Sequence, residues 1–370
     1  MKPALLKYLQ LPGCAHIPQL KVISLYDITL KDTEVKTLKS TGKDPEDYSC
    51  EIEKGLLYCD ECNLYFPIIN GIPRIYRGVE NDINLEKLKA ASNNLDGIKH
   101  QDKIRLSFSK EWDELNYDDN LIWLWTVDSR IDTFFEEIDV VNGDELEGKL
   151  MIDCGCGSGI LAMNLAERYN IEIIAFDMAD ILDKAFRKNK SNLCHFVQTS
   201  VFYSPFKRKI ADIVYSHGVL HHTFDTKQAF LSIEKLAKPN GLLYVWLYGK
   251  KKGWNRVRFI FIKTMRFIIA RLPTRLQNFM VNVMLYIHLF VRAIKRKLGL
   301  EKVQYKTRSQ LRVSIRDKYT PIYAREHKED EVKEWFYEAD YEQVTRKIKW
   351  DKTPWWNGST DLSIKGIKKG

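Results

Sequence analysis

The chain has 370 residues, and a single hydrophobic core rarely grows beyond roughly 250–300, so an added domain or insertion is expected. An apolar fraction of 45%, a charged fraction of 29% and only 19 Gly and 11 Pro exclude a collagenous, low-complexity or globally disordered chain. The formal charge of +9 is unevenly spread: residues 250–302 hold fourteen Lys or Arg against one acid, Glu301, a net of +13 that leaves −4 for the rest.

Cysteines stand at Cys14, Cys50, Cys59, Cys62, Cys154, Cys156 and Cys194, an odd number, and the opening stretch MKPALLKYLQLPG lacks the roughly 7–15-residue apolar segment of a signal peptide. A reducing cytoplasm with free or metal-bound thiols is the expectation, with peripheral membrane contact left open. No uncharged stretch exceeds that of Leu276–Val291, which is interrupted by Gln277, Asn278, Asn282 and His288 and falls short of the ~20 apolar residues that span a bilayer.

Taken in chain order, the first segment is residues 1–80. It contains IEKGLLYCDECNLYFPIINGIPRIY, a C-x-x-C knuckle with a hairpin and a G-I-P turn. These residues resemble the small zinc-ribbon domain that accompanies methyltransferases as an activator. The resemblance implies a β domain with Zn2+ on Cys14, Cys59 and Cys62, and with Cys50 as the candidate fourth thiolate, because tetrahedral structural zinc takes four ligands. The first knuckle departs from the pattern, with Leu11 where a cysteine would stand. A hairpin tip at Glu53–Gly55 would set Cys50 near Tyr58 and out of phase with Cys59, so a metal-free ribbon stands beside the zinc-bound one. Residues 81–104 are polar and read as a linker.

The core is expected over residues 105–249. KLMIDCGCGSGILAMNLAERY is an apolar run ending in an acid, then glycines at alternate positions, then good helix formers: strand, tight turn, helix. Gly155, Gly157 and Gly159 let the backbone turn sharply and let a ligand approach the helix N-terminus. A dinucleotide fingerprint G-x-G-x-x-G would place its third glycine one residue later, at Ile160. Asp153 before the turn repels phosphates and suits an ammonium group. IEIIAFD then ends at Asp177, where a parallel neighbour strand would place a carboxylate beside ribose hydroxyls. LCHFVQTS, ADIVYSHG and GLLYVWLYG follow, alternating with helical stretches, which predicts a doubly wound parallel sheet.

MIDCGCGSG, IIAFDMAD, FVQTSVFYSPF, DIVYSHGVLHH and LAKPNGLLYV together resemble the class I S-adenosylmethionine-dependent methyltransferases, over roughly residues 105–250 and again from about 313. The resemblance implies an α/β, Rossmann-like sheet of seven strands and S-adenosyl-L-methionine as cofactor. It implies that Asp153 and the turn Gly155, Gly157, Ser158 and Gly159 hold the methionine part and that Asp177 holds the ribose diol. Met178, Ser200 and Val201 would line the adenine, with Ser200 standing where relatives often have Asp, and His217 would face the cofactor cleft. Phe108 and Trp112 match a cofactor-covering segment. Methyl transfer mainly requires alignment of a nucleophile, and His221 and His222 are the candidate bases at the end of the fourth strand of the core.

After Gly249, residues 250–312 interrupt the fold with about two helices broken at Pro273. Aromatic and aliphatic stretches bounded by Arg and Lys suit a lid over an apolar substrate or contact with an anionic membrane surface. The segment is too apolar for a phosphate-tracking groove, which disfavours nucleic acid as a partner. Residues 313–370 complete the core with helix DEVKEWFYEA and an antiparallel pair, DYEQVTRKIKW and TDLSIKGIKK. Tyr319, Tyr323, Arg325, Trp355 and Trp356 are further candidate contacts to substrate. The expected function is methyl transfer to a small-molecule, glycan or lipid-like acceptor, with tRNA or protein methylation and a non-catalytic scaffold as the alternatives.

Overall fold

The computed structural model describes residues 1–10, 21–29, 44–48, 50–59, 64–75, 105–110, 112, 121–122, 125–250, 254–299, 308–347 and 361–370. Cys14, Cys62, the linker 81–104, Trp355 and Trp356 lie outside them.

A 3-10 helix, Pro3–Tyr8, precedes an antiparallel sheet of β1 (Lys21–Thr29), β2 (Cys50–Cys59), β3 (Leu64–Ile69) and β4 (Ile72–Pro73), in that spatial order. Asn70 and Gly71, both with positive φ, join β3 to β4, the conformation that an Asn-Gly hairpin turn demands. The expected hairpin tip at Glu53–Gly55 is absent. Instead β2 runs unbroken, pairing with β1 on one side and with β3 on the other. Cys50 and Cys59 are its two ends, about 30 Å apart at ~3.3 Å per residue, so Cys50 cannot share a metal with Cys59, which would hold thiolates at ~2.3 Å. Cys59 is buried in the core, and among the described residues no cluster of His, Cys, Asp or Glu forms a metal site. The residues described do not fit the expected four-thiolate zinc.

A short pair, β5 (Leu121–Ile122) and β6 (Trp125–Thr126), leads into helix α1 (Val127–Ile138), whose N-cap Thr126 accepts a hydrogen bond from the Ser129 N–H. The main sheet then follows with β7 (Leu150–Cys154), α2 (Ile160–Tyr169), β8 (Glu172–Asp177), α3 (Leu182–Lys188), β9 (Cys194–Gln198), β10 (Ala211–His217), α4 (Thr226–Ile233) and β11 (Ala237–Leu247). Three helices come next: α5 (Trp254–Ile269), α6 (Thr274–Lys297) and α7 (Arg308–Tyr319). The chain ends with α8 (Glu329–Glu338), β12 (Tyr341–Arg346) and β13 (Leu362–Lys368).

Seven strands lie in the order β12-β13-β11-β10-β7-β8-β9; the five from β11 to β9 are mutually parallel, and β13 runs antiparallel to both β11 and β12. β7 and β9 are buried throughout, as strands covered on both faces are, even where β9 carries His195 and Gln198. Their side chains alternate between two cores: Ile152 and Cys154 pack with Phe230 and Phe336, while Met151 packs with Phe134 and Leu165. The first core also takes in Leu5, Leu57 and Phe66 of the N-terminal part, so the two sheets share one interior.

Buried polar groups reinforce that junction. The Glu172 carboxylate, fully buried at the start of β8, accepts from Tyr8 Oη (2.7 Å) and Tyr48 Oη (2.6 Å) and lies 3.1 Å from His195 Nε2. Arg74, also buried, donates to Gln198 Oε1 at 3.1 Å and to Asp183 Oδ1 at 2.5 Å.

Helix α7 runs across the expected boundary at residues 312 and 313. It packs on both α5 and α6, with Leu311 and Ile315 against Val281 and Leu285, so the insertion is a three-helix unit. Among the described residues, no helix is long and apolar enough to cross a membrane.

Candidate active site

The strand order reverses between β8-β7 and β7-β10, and in open α/β sheets ligands bind beyond the carboxyl ends of the strands at such a point. Asp153 and Asp177 stand at the ends of β7 and β8, His217 at the end of β10, and Trp246 and Tyr248 at the end of β11. The sequence separates these residues by up to about a hundred positions; the parallel registers bring them together.

Gly155, Gly157 and Gly159 have φ of +84°, +53° and +69°. The requirement is steric as well as conformational at Gly157, where a Cβ would come 2.5 Å from Trp112 Cζ2. Trp112 therefore covers the turn. The Gly157 N–H donates to Asp177 Oδ2 at 2.9 Å, and the Ala179 N–H donates to Oδ1 at 2.8 Å, so Asp177 braces the turn from the neighbouring strand. Burial raises the Asp177 pKa against the opposing effect of these backbone bonds.

Asp153 is 5% exposed, and among the described residues none donates a hydrogen bond to its carboxylate. Burial pushes its pKa up to about 7, with Arg130 working downward and Asp177 upward. A buried carboxylate without a donor, beside a turn of positive-φ glycines, fits a cationic ligand group, and the residues present thus fit S-adenosylmethionine. Of the other expected cofactor residues, Ser158 and Val201 are buried and Met178 is half-buried. Ser200 is also buried and caps the turn that follows it, its Oγ accepting from the Phe202 N–H at 3.3 Å.

The helix α1 supplies groups that sequence reasoning did not single out. Arg130 Nη1 donates to Glu137 Oε2 at 3.1 Å, Tyr215 Oη donates to the same oxygen at 2.5 Å, and His217 Nε2 lies 3.3 Å from Glu137 Oε1. Burial pushes the Glu137 carboxyl up, but Arg130 and His217 outweigh it and hold the pKa at about 2. His217 stacks on Trp246 with ring centroids 4.9 Å apart. Only the heptad-like placement of Arg130 and Glu137 two turns apart on one helix face hinted at this network.

His221 and His222 are both buried, with centroids 4.2 Å apart, and they differ in their partners. His222 Nδ1 lies 2.8 Å from the Tyr323 carbonyl oxygen, its Nε2 is 3.6 Å from Asp317 Oδ1, and Phe108 packs edge-on against its ring at 5.4 Å. Among the described residues, His221 has no hydrogen-bond partner at either ring nitrogen; its ring stacks on Tyr248 at 3.9 Å and meets Trp246 edge-on at 5.6 Å. Burial and then the neighbouring His222 and Arg266 hold its pKa well below the ordinary histidine value. Trp246 Nε1 is likewise buried without a partner among the described residues.

Asp317, on α7, also accepts from Tyr248 Oη at 3.3 Å, which places the insertion's third helix against the histidines. Arg325 turns its guanidinium to the Phe224 and Thr223 carbonyls and its N–H to the His221 carbonyl, so it fixes the histidine loop. Tyr319 packs in the helical insertion.

Fold and site together define an α/β domain with a Rossmann-like sheet of seven strands and a glycine-rich turn after β7. Residues 152–245 match the family described as a methyltransferase domain. Over 122 residues the chain is 26% identical to phosphoethanolamine N-methyltransferase 2 of Caenorhabditis elegans, covering 32% of this chain and 28% of that protein. Over 124 residues it is 25% identical to the ubiquinone biosynthesis O-methyltransferase of Rickettsia akari, covering 33% and 49%. The aligned stretch thus spans less than half the length of either relative. Among solved structures, 1,6-didemethyltoxoflavin-N1-methyltransferase of Burkholderia thailandensis, with S-adenosylhomocysteine bound, aligns with a TM-score of 0.39 at 14% identity, covering 74% of this chain and 91% of that one.

Proposed function

We propose that this chain transfers a methyl group from S-adenosylmethionine to a small-molecule, glycan or lipid-like acceptor. The observation that carries the reading is that the same end of the sheet holds a buried Asp153, to which none of the described residues donates, and, in the loop after the neighbouring strand β10, His221, whose ring nitrogens have no partner among the described residues. S-adenosylmethionine supplies an electrophilic methyl group on a sulfonium, so the protein's task is mainly alignment.

Asp153 attracts the ammonium end of the cofactor, the backbone of Gly155–Gly159 lies along it, and Asp177 offers its remaining lone pairs to the ribose. Ser200 keeps its hydroxyl proton for an adenine contact, while Met178 and Val201 furnish apolar surface. His222 is engaged by Tyr323 and faces Asp317, which makes it a positioning residue. His221 is the residue left to meet the methyl acceptor. A strongly lowered pKa keeps its imidazole neutral, with one lone pair to accept a hydrogen bond and little capacity to retain a proton. That favours methyl acceptors which need not hand a proton to His221 before attack, such as a neutral amine or a phenolate, over an unactivated alkanol.

Calorimetry of the full chain with S-adenosylmethionine, followed by a screen for S-adenosylhomocysteine release against amines, phenols, glycans and lipids, tests this. One equivalent of cofactor bound and turnover with at least one of these classes is expected. No cofactor binding would remove the reading, and turnover with RNA or protein alone would replace its acceptor.

A further inference from the structure

The insertion carries two faces, and the site uses only one. Towards the core, Ile262, Arg266 and Ile269 of α5 and Val281 and Leu285 of α6 are buried. On the outward face of α6, Phe279, Tyr286, Ile287, Phe290, Ile294 and Leu298 are each 42–67% exposed, at spacings that keep them on one side of a 3.6-residue helix. The helix is therefore apolar on opposite sides. On α5, Ile260, Phe261, Phe267 and Ile268 repeat the arrangement.

A soluble monomer rarely leaves contiguous apolar surface of this kind to water. Its setting says what covers it. Between Trp254 and Lys297 there is no Asp or Glu, while exposed Arg271, Arg275, Lys295 and Lys297 border the apolar rows, and Arg271 stacks on Phe267 at 3.6 Å. The core of an interface with another protein is depleted in Lys. Aromatic and aliphatic rows edged only by cations, on a helix of 24 residues that cannot cross a bilayer, are the chemistry of a helix lying in the headgroup region.

We infer that the outward faces of α5 and α6 dock the protein on an anionic lipid surface, with Phe279, Phe290 and Phe267 entering the acyl boundary and the basic residues meeting lipid phosphates. The helix α7 lies between these helices and His222, so the docked face is the back of the same unit that closes the site.

The test is flotation of the full chain with vesicles of phosphatidylcholine alone and of phosphatidylcholine with phosphatidylglycerol. The expected result is flotation with the anionic vesicles, weaker flotation with neutral ones, and a decline as salt rises. The double variant Phe279→Ser/Phe290→Ser changes only exposed side chains; it should lower partitioning about tenfold or more while leaving thermal unfolding unchanged. If the wild-type chain stays unbound on anionic vesicles at low salt, or if the double variant floats equally well, the inference is overturned. It is equally overturned if the chain proves to be an oligomer that this variant converts to monomer with no change in partitioning, since the face would then join copies of the chain.

Discussion

Asp153 holds opposite consequences for stability and for binding. The unfolded chain ionises this carboxyl near 3.8, whereas the fold keeps the proton up to about 7, so the cofactor-free chain loses stability as pH rises between those values. Asp153→Asn removes that penalty. Its unfolding midpoint relative to wild type should therefore be higher at pH 8 than at pH 5 by differential scanning calorimetry. The same variant lacks the charge that draws the cofactor's ammonium group, and its affinity for S-adenosylmethionine should fall about 10–100-fold by titration calorimetry. His221 carries a separate prediction. His221→Ala should lower kcat about 100-fold with cofactor affinity unchanged. Because burial depresses its pKa well below 6.5, wild-type kcat should hold as pH drops from 7 to 6; a fall in that window would assign the titration to another group.

At the scale of elements, the turn between β7 and α2 and the segment carrying Trp112 act as one device. Gly157→Ala would combine a left-handed backbone with a Cβ placed against the Trp112 indole, a cost of about 1–3 kcal/mol. Chemical denaturation should report that loss, and cofactor affinity should weaken with it. The three-helix insertion is a second device. Asp317→Asn leaves α7 in place but removes the carboxylate facing His222, whose lowered pKa Asp317 opposes. The acidic limb of the kcat profile should then shift to lower pH if His222 titrates during turnover.

For the whole molecule, the shared interior of the two sheets predicts one cooperative unfolding transition and no independent N-terminal unit. Glu172 concentrates this coupling, since Tyr8, Tyr48 and His195 all meet its carboxylate. Glu172→Ala strands those buried groups and should destabilise the whole chain by on the order of 3 kcal/mol in urea unfolding. Two separate transitions in the wild type would show instead that the N-terminal part folds on its own.

The alternate-glycine turn, the acids closing β7 and β8 and the succession of buried strands were all legible in the sequence, because each depends on local geometry: a positive φ, a strand end, an unbroken apolar run. So was the confinement of positive charge to the insertion. What the tertiary structure alone decided depends on pairing across distance. It made β2 one continuous strand, which separates Cys50 from Cys59 where a local hairpin would have drawn the thiols closer. It also divided two adjacent histidines into one engaged by Tyr323 and one whose nitrogens have no partner among the described residues, and it brought Asp317 to His222 and Glu137 to His217 from other helices. Side-chain partners in a parallel sheet come from crossovers many residues long, and no spacing within the chain encodes which nitrogen will be left free.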